Sequence, residues 1–123
     1  MQVSDIVTQL KDEAEKKGAY YVLQRNYPGK TISIPYYSRM SSLSIDEMNL
    51  SVRSSNALKR SGAITIGKVA DFIAENRLRT IRNLGIKSEK EIIRCFFTLC
   101  YGHLTITEKV LFWQNIADEF NDN

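Results

Sequence analysis

The stretch Ile81-Arg82-Asn83-Leu84-Gly85-Ile86-Lys87-Ser88-Glu89-Lys90-Glu91-Ile92 constrains the fold most, because it reads as a helix end, a glycine turn and the start of a new helix. Gly85 can adopt the positive φ that such a turn needs. Ser88 is placed to cap the following amides, and Glu91 to reach back as the other half of a capping box. The free amides of that helix start, with Lys87 beside them, make a small anion-binding concavity that contains no catalytic side chain. The same pattern also suits a plain structural corner between two helices. Charge separates the two readings only slightly. The net charge of +3 is unevenly spread: residues 1–50 sum to 0, residues 51–103 to +6 and residues 104–123 to −3. A basic excess around an anion-gripping turn is the footprint of a polyanion binder, although many solvated helices are equally basic.

Upstream of the corner stand Ile45-Asp46-Glu47-Met48-Asn49-Leu50-Ser51-Val52-Arg53-Ser54-Ser55-Asn56-Ala57-Leu58-Lys59-Arg60-Ser61-Gly62 and then Thr65-Ile66-Gly67-Lys68-Val69. Together with the corner, these residues closely resemble the C-terminal domain of the bacterial RNA polymerase α subunit. The resemblance runs from about Ile45 to about Phe97, and its most specific part is the pairing of Leu50–Lys59 with Asn83–Ser88. It implies a mainly α fold: a compact helical domain with a helix-hairpin-helix, SAM-like and of the type that ends the polymerase α subunit. The expected layout is an N-terminal extension of helix plus small β-hairpin over residues 1–43, then the polymerase-like domain over 44–123 with an extra C-terminal helix.

The resemblance also implies a function and a set of contacts. Domains of this family bind the minor groove of A/T-rich double-stranded DNA and dock on transcription factors. Arg53 matches the arginine that enters the groove, Asn56 the asparagine on the same helix, and Lys59 a supporting basic position. Gly85 matches the hairpin glycine, Lys87 the lysine that neutralises phosphate, Ser88 the hydroxyl and amide at the helix start, and Glu91 a carboxylate that holds arginine and hairpin in register. Two departures stand out. Ile86 occupies a position where the family often has a second basic residue, which implies weaker phosphate attraction. Glu47 is kept from the acidic surface used toward σ factor, but Asn49 stands where a second acid is expected. A full-length polymerase α protein also carries a large assembly domain that residues 1–44 could not supply, so assembly of polymerase by that route is not expected of these residues.

With 43% apolar residues and no long uncharged apolar run, the sequence suits a compact soluble domain with an appendage, and no membrane association is expected. Met1 leads into a charged amphipathic segment instead of a secretory signal, which points to a cytosolic protein; the bacterial cytoplasm and nucleoid are what the resemblance implies. Cys95, Cys100 and His103 supply soft ligand types, but the cysteine spacing turns the sulfurs to different sides and no fourth ligand is evident. They are expected to be packed thiols and a helix-end histidine, with no metal, no cofactor and no enzymatic activity.

Elements follow from caps and periodicity. Ser4 reads as the N-cap of a helix carrying Ile6, Val7, Leu10 and Ala14 inward and ending at Lys16-Lys17-Gly18. Residues 19–24 and 31–37, rich in tyrosine, valine and isoleucine around Asn26-Tyr27-Pro28-Gly29, read as a two-stranded ribbon. Tyr20, Tyr21, Tyr27, Tyr36 and Tyr37 alternate with basic residues, which invites stacking on nucleic acid; ordinary packing or partner contact explains them more simply. Ser51 should cap a helix that runs to Arg60 and stops at Gly62, with Leu50, Val52 and Leu58 inward. Thr65 should cap the next, with Val69, Phe72 and Ile73 inward. Ser88 should start a helix burying Ile92, Ile93, Phe96 and Phe97. Beyond Gly102, Thr105-Ile106-Thr107-Glu108 forms a capping box for a last helix bearing Val110, Phe112, Trp113, Ile116, Ala117 and Phe120. The alternative to DNA binding is a protein-interaction module that docks on RNA polymerase or transcription factors through its aromatic head or acidic tail.

Overall fold

The computed structural model describes residues 3–121, with side chains from residue 5 onward. Among the described residues there are six α-helices and no strand: α1 (Val3–Lys17), α2 (Ala19–Asn26), α3 (Val52–Arg60), α4 (Ile66–Ala74), α5 (Ile86–Gly102) and α6 (Ile106–Phe120). Short 3-10 turns at Ser38–Met40, Ile45–Met48 and Leu78–Thr80 join them. The protein divides into two units, residues 1–35 with 101–123, and residues 36–100. Helix α6 falls in the first of these units, together with α1 and α2.

In the first unit, α1 presents Val7, Leu10 and Ala14, spaced as one helical face, to the interior. The Ser4 cap lies outside the described side chains. Gly18, at φ 94, breaks the backbone between α1 and α2. The expected β-hairpin is not there. Residues 19–26 are helical, with Ala19, Val22 and Leu23 buried at the i, i+3, i+4 spacing of a helix face, and residues 31–37 form no regular element. Aromatic and β-branched composition suggested strand, and tertiary burial of one face decided for helix. The Thr105 and Glu108 capping box of α6 is formed in both directions. Trp113 is fully buried and its indole N–H donates to Tyr101 Oη at 2.8 Å. The tryptophan therefore packs within this unit, against the last turn of α5. At the far end Tyr27 Oη donates to Asn121 Oδ1 at 2.6 Å, and its ring lies 5.7 Å from that of Phe120.

In the second unit, Ser51 caps α3 by accepting from the Ser54 amide, and Thr65 caps α4 by accepting from the Lys68 amide. Gly62 ends α3 at φ 80, with the amide of Ala63 bonded back to Leu58 O at 2.9 Å. Two further amides of α4 are met by backbone: Ile66 donates to Leu43 O and Gly67 to Ser41 O. A Cβ on Gly67 would lie 2.9 Å from that of Ser41, so this close approach requires glycine. Leu58, Val69, Ile92 and Phe96 are buried as expected, while Phe72 and Ile73 are only half-buried. Val52 departs from expectation: it is 76% exposed, and Ser54 takes the inward place. Tyr36 stacks on Phe96 with ring centres 5.8 Å apart, which is packing against the core of this unit.

Cys95 and Cys100 are buried free thiols, and burial pushes Cys100 up to about 12. Replacing Tyr101 by Phe removes the acceptor of a buried indole N–H. Denaturant titration of that variant should show a loss of about 1–3 kcal/mol with an unchanged slope. An unchanged midpoint would mean that the indole bond contributes nothing.

Candidate nucleic-acid interface

Glu91 organises the surface of the second unit. Its carboxylate accepts from the Ser51 amide at 2.7 Å, from Ser51 Oγ at 2.9 Å and from Ser54 Oγ at 2.5 Å. These donors form the opening turn of α3, so one side chain of α5 supplies acceptors to a helix start 40 residues away in sequence. The expected capping box with Ser88 is therefore not made. Helix α5 begins two residues before Ser88, at Ile86, and the first bond of its ladder runs from the Glu89 amide to Gly85 O at 3.0 Å. Gly85 thus takes the cap position, Ser88 lies inside the first turn, and Glu91 is free to reach across.

Glu91 is held below its usual 4.5, chiefly by the Ser54 hydroxyl bond and then by the two Ser51 bonds and the nearby Arg94 charge, against a desolvation that works the other way. The α3 N-terminal dipole also favours the ionised form.

The corner has a different geometry from the one expected. The left-handed residue is Asn83, at φ 64, and not Gly85. The Leu84 amide closes a turn onto Ile81 O at 3.1 Å, putting Arg82 and Asn83 at its tip. Asparagine tolerates that conformation, which releases Gly85 from the duty. A Cβ added at Gly85 would meet nothing within 4 Å. Internal packing therefore gives no reason for a glycine there.

Arg53 lies between Ser51 and Ser54 on the first turn of α3 and is exposed, and no acid pairs with it among the described residues. Asn56 is exposed one turn further along. Lys87 lies one turn before Glu91 on α5, also exposed, with Ser88 half-buried beside it. No side chain among the described residues accepts from the amides of Ile86, Lys87 and Ser88. The Glu91 bonds consequently join the turn that carries Arg53 to the helix start that carries Lys87. Lys59 is the exception among the expected contacts, since it pairs with Asp46 at 3.5 Å on the surface. Sequence reasoning placed Val52 in the interior and took Ile86 only as a lost charge, and so missed their exposure. Both are large exposed aliphatic residues, at 76% and 72%, each in the first position of its helix next to a site cation. For Val52, its place immediately after the Ser51 cap was the available signal. Asn49, where a second acid was expected, sits at φ 56, the left-handed end of a 3-10 turn.

Residues 37–96 match the family defined by the C-terminal domain of the bacterial RNA polymerase alpha chain. This segment, which nearly coincides with the second unit, belongs to that family. Among similar proteins, the DNA-directed RNA polymerase subunit alpha of Malacoplasma penetrans is 54% identical over 52 residues, spanning 42% of the present sequence and 15% of that protein. The corresponding protein of Syntrophomonas wolfei is 54% identical over 54 residues, spanning 42% and 16%. That of Rubrobacter xylanophilus is 52% identical over 48 residues, spanning 39% and 15%. The match thus takes in only about 15% of the length of these relatives. No solved structure matches the protein.

Because the folded carboxyl titrates below its ordinary value, Glu91 stabilises the unit fully above pH about 4.5, and the contribution drains as pH falls through the lowered value. Glu91→Ala should cost about 1–3 kcal/mol at neutral pH and flatten the acid limb of a stability-against-pH curve. An unaltered acid limb would show that this carboxylate does not hold the two helix starts.

Proposed function

We propose that residues 36–100 form a DNA-binding domain of transcription that grips the minor groove and phosphate backbone of A/T-rich duplex DNA. The observation that carries this reading is the Glu91 carboxylate, which joins the helix starts bearing Arg53 and Lys87 while both cations stay exposed. The unit's charge agrees, with eleven Lys and Arg against six Asp and Glu.

Each residue has a physical task in this scheme. The Arg53 guanidinium enters the groove, where narrow A/T-rich sequence concentrates negative potential. The Asn56 amide donates and accepts beside it without a further charge to desolvate. The amides of Ile86, Lys87 and Ser88 hold a phosphate, with the Lys87 ammonium and Ser88 hydroxyl adding to the attraction. Gly85 leaves the approach of the strand unobstructed. Glu91 touches no DNA and acts by fixing both helix starts. Lys59, engaged with Asp46, gives a smaller electrostatic contribution. Binding of this kind reads groove shape more than base identity, and nothing in it calls for catalysis. The partners proposed are A/T-rich duplex DNA and, by likeness to the polymerase α relatives, RNA polymerase or transcription factors, in a bacterial cytoplasm at the nucleoid.

Exposure of Val52 and Ile86 favours a second reading, in which this face meets a protein surface instead. Fluorescence anisotropy with A/T-rich and G/C-rich duplexes separates the two. The DNA reading requires binding that favours the A/T-rich duplex and weakens as salt rises. Arg53→Ala should reduce affinity at least about fivefold, and Lys59→Ala should change it by less. Equal affinity of the wild type and Arg53→Ala would exclude the arginine as the groove contact.

A further inference from the structure

Arg82 differs from the other arginines of the corner. Arg79 donates to Glu89 at 3.3 Å, and Arg77 pairs with Glu75 at 2.6 Å while its guanidinium lies over the Phe72 ring at 4.5 Å. Arg82 is exposed, and no acid, ring or carbonyl engages its side chain among the described residues. It sits at the tip of the turn closed by the Leu84 amide on Ile81 O, directly before left-handed Asn83. The fold makes no visible use of it.

The position is constrained even though the side chain is not. The turn bond and the Asn83 conformation fix where the Arg82 backbone stands relative to the start of α5. The flank between them at Gly85 is open, since an added Cβ there meets nothing within 4 Å. Ile86, the first helical residue, is 72% exposed and brings no charge. The Glu89 carboxylate, the acid of the first turn, is already engaged by Arg79 and opposes an approaching anion less. Along one DNA strand phosphates recur about every 3.4 Å of helix axis, so a strand seated on the α5 amides presents a neighbouring phosphate toward the preceding turn.

We propose that Arg82 is a second backbone clamp, contacting a phosphate adjacent to the one held at the α5 start. The inference rests on the DNA reading given above. It adds a charge contact to the corner at a residue that sequence reasoning did not single out. A phosphate contact carries no sequence information, which distinguishes Arg82 from Arg53.

The test is a salt series of duplex affinities, measured by anisotropy on A/T-rich and G/C-rich duplexes for the whole protein. Arg82→Gln should lower affinity by the same factor on both duplexes and reduce the slope of log K against log salt by about 0.9. Arg82→Lys should restore the slope, because the charge and not the fork geometry is at work. Thermal melting of both variants should match the wild type, as expected for an exposed turn residue. A wild-type slope retained in Arg82→Gln overturns the clamp and leaves the groove reading standing. Absence of duplex binding by the wild type overturns both. A loss confined to the A/T-rich duplex assigns Arg82 to the groove and also overturns the clamp.

Discussion

One carboxylate holds the candidate face together. Glu91 accepts from an amide and two hydroxyls of the α3 start, and each of those donors would otherwise have to find water or another partner. Helix α3 is only nine residues long, too short to be stable by propensity alone, so its opening turn depends on such tertiary partners. Ser54 shows the consequence in the packing: a polar residue is fully buried because its hydroxyl serves this carboxylate. Val52, displaced from the interior, then faces outward next to Arg53. The arginine's position is set by a contact it does not itself make.

The turns divide conformational work from surface work. Asn49, Asn76 and Asn83 carry the positive φ values outside glycine, and a short polar side chain tolerates them. Gly67 is present because Ser41 lies too close for a Cβ, while Gly85 has neither a left-handed backbone nor a crowded flank. Glycine at position 85 therefore has no explanation in the packing around it. Lys59 shows the opposite case: a candidate contact on the right helix is partly occupied by an internal acid, Asp46, although such an exposed pair contributes little to stability.

Legibility in the sequence tracked the distance over which each interaction acts. Ser51, Thr65 and Thr105 were readable as caps, and Gly62 as a stop, because their partners lie within a few residues. Ser88-Glu89-Lys90-Glu91 has the same spacing as Thr105-Ile106-Thr107-Glu108, yet only the second is a capping box. Local pattern could not separate them, because Glu91 is taken by a helix start 40 residues upstream. The head failed for a related reason. Ala19, Val22 and Leu23 carried a helix spacing, but tyrosine and valine weighed toward strand until burial decided. The paired motif around Arg53 and Gly85 was specific enough to suggest the family that residues 37–96 match, while the grouping of α6 with the head had no local signature.

The central claim is that Arg53 and the Gly85 corner act as one surface because Glu91 fixes them together. The most direct measurement is an amide-resolved NMR titration of the whole protein with an A/T-rich duplex. The account predicts that the amides of Arg53, Asn56, Gly85 and Lys87 shift together with a single midpoint, and that Glu91→Ala makes the two groups titrate separately or not at all. Shifts confined to one of the two helix starts in the wild type, or a joint response that survives loss of the carboxylate, would contradict it.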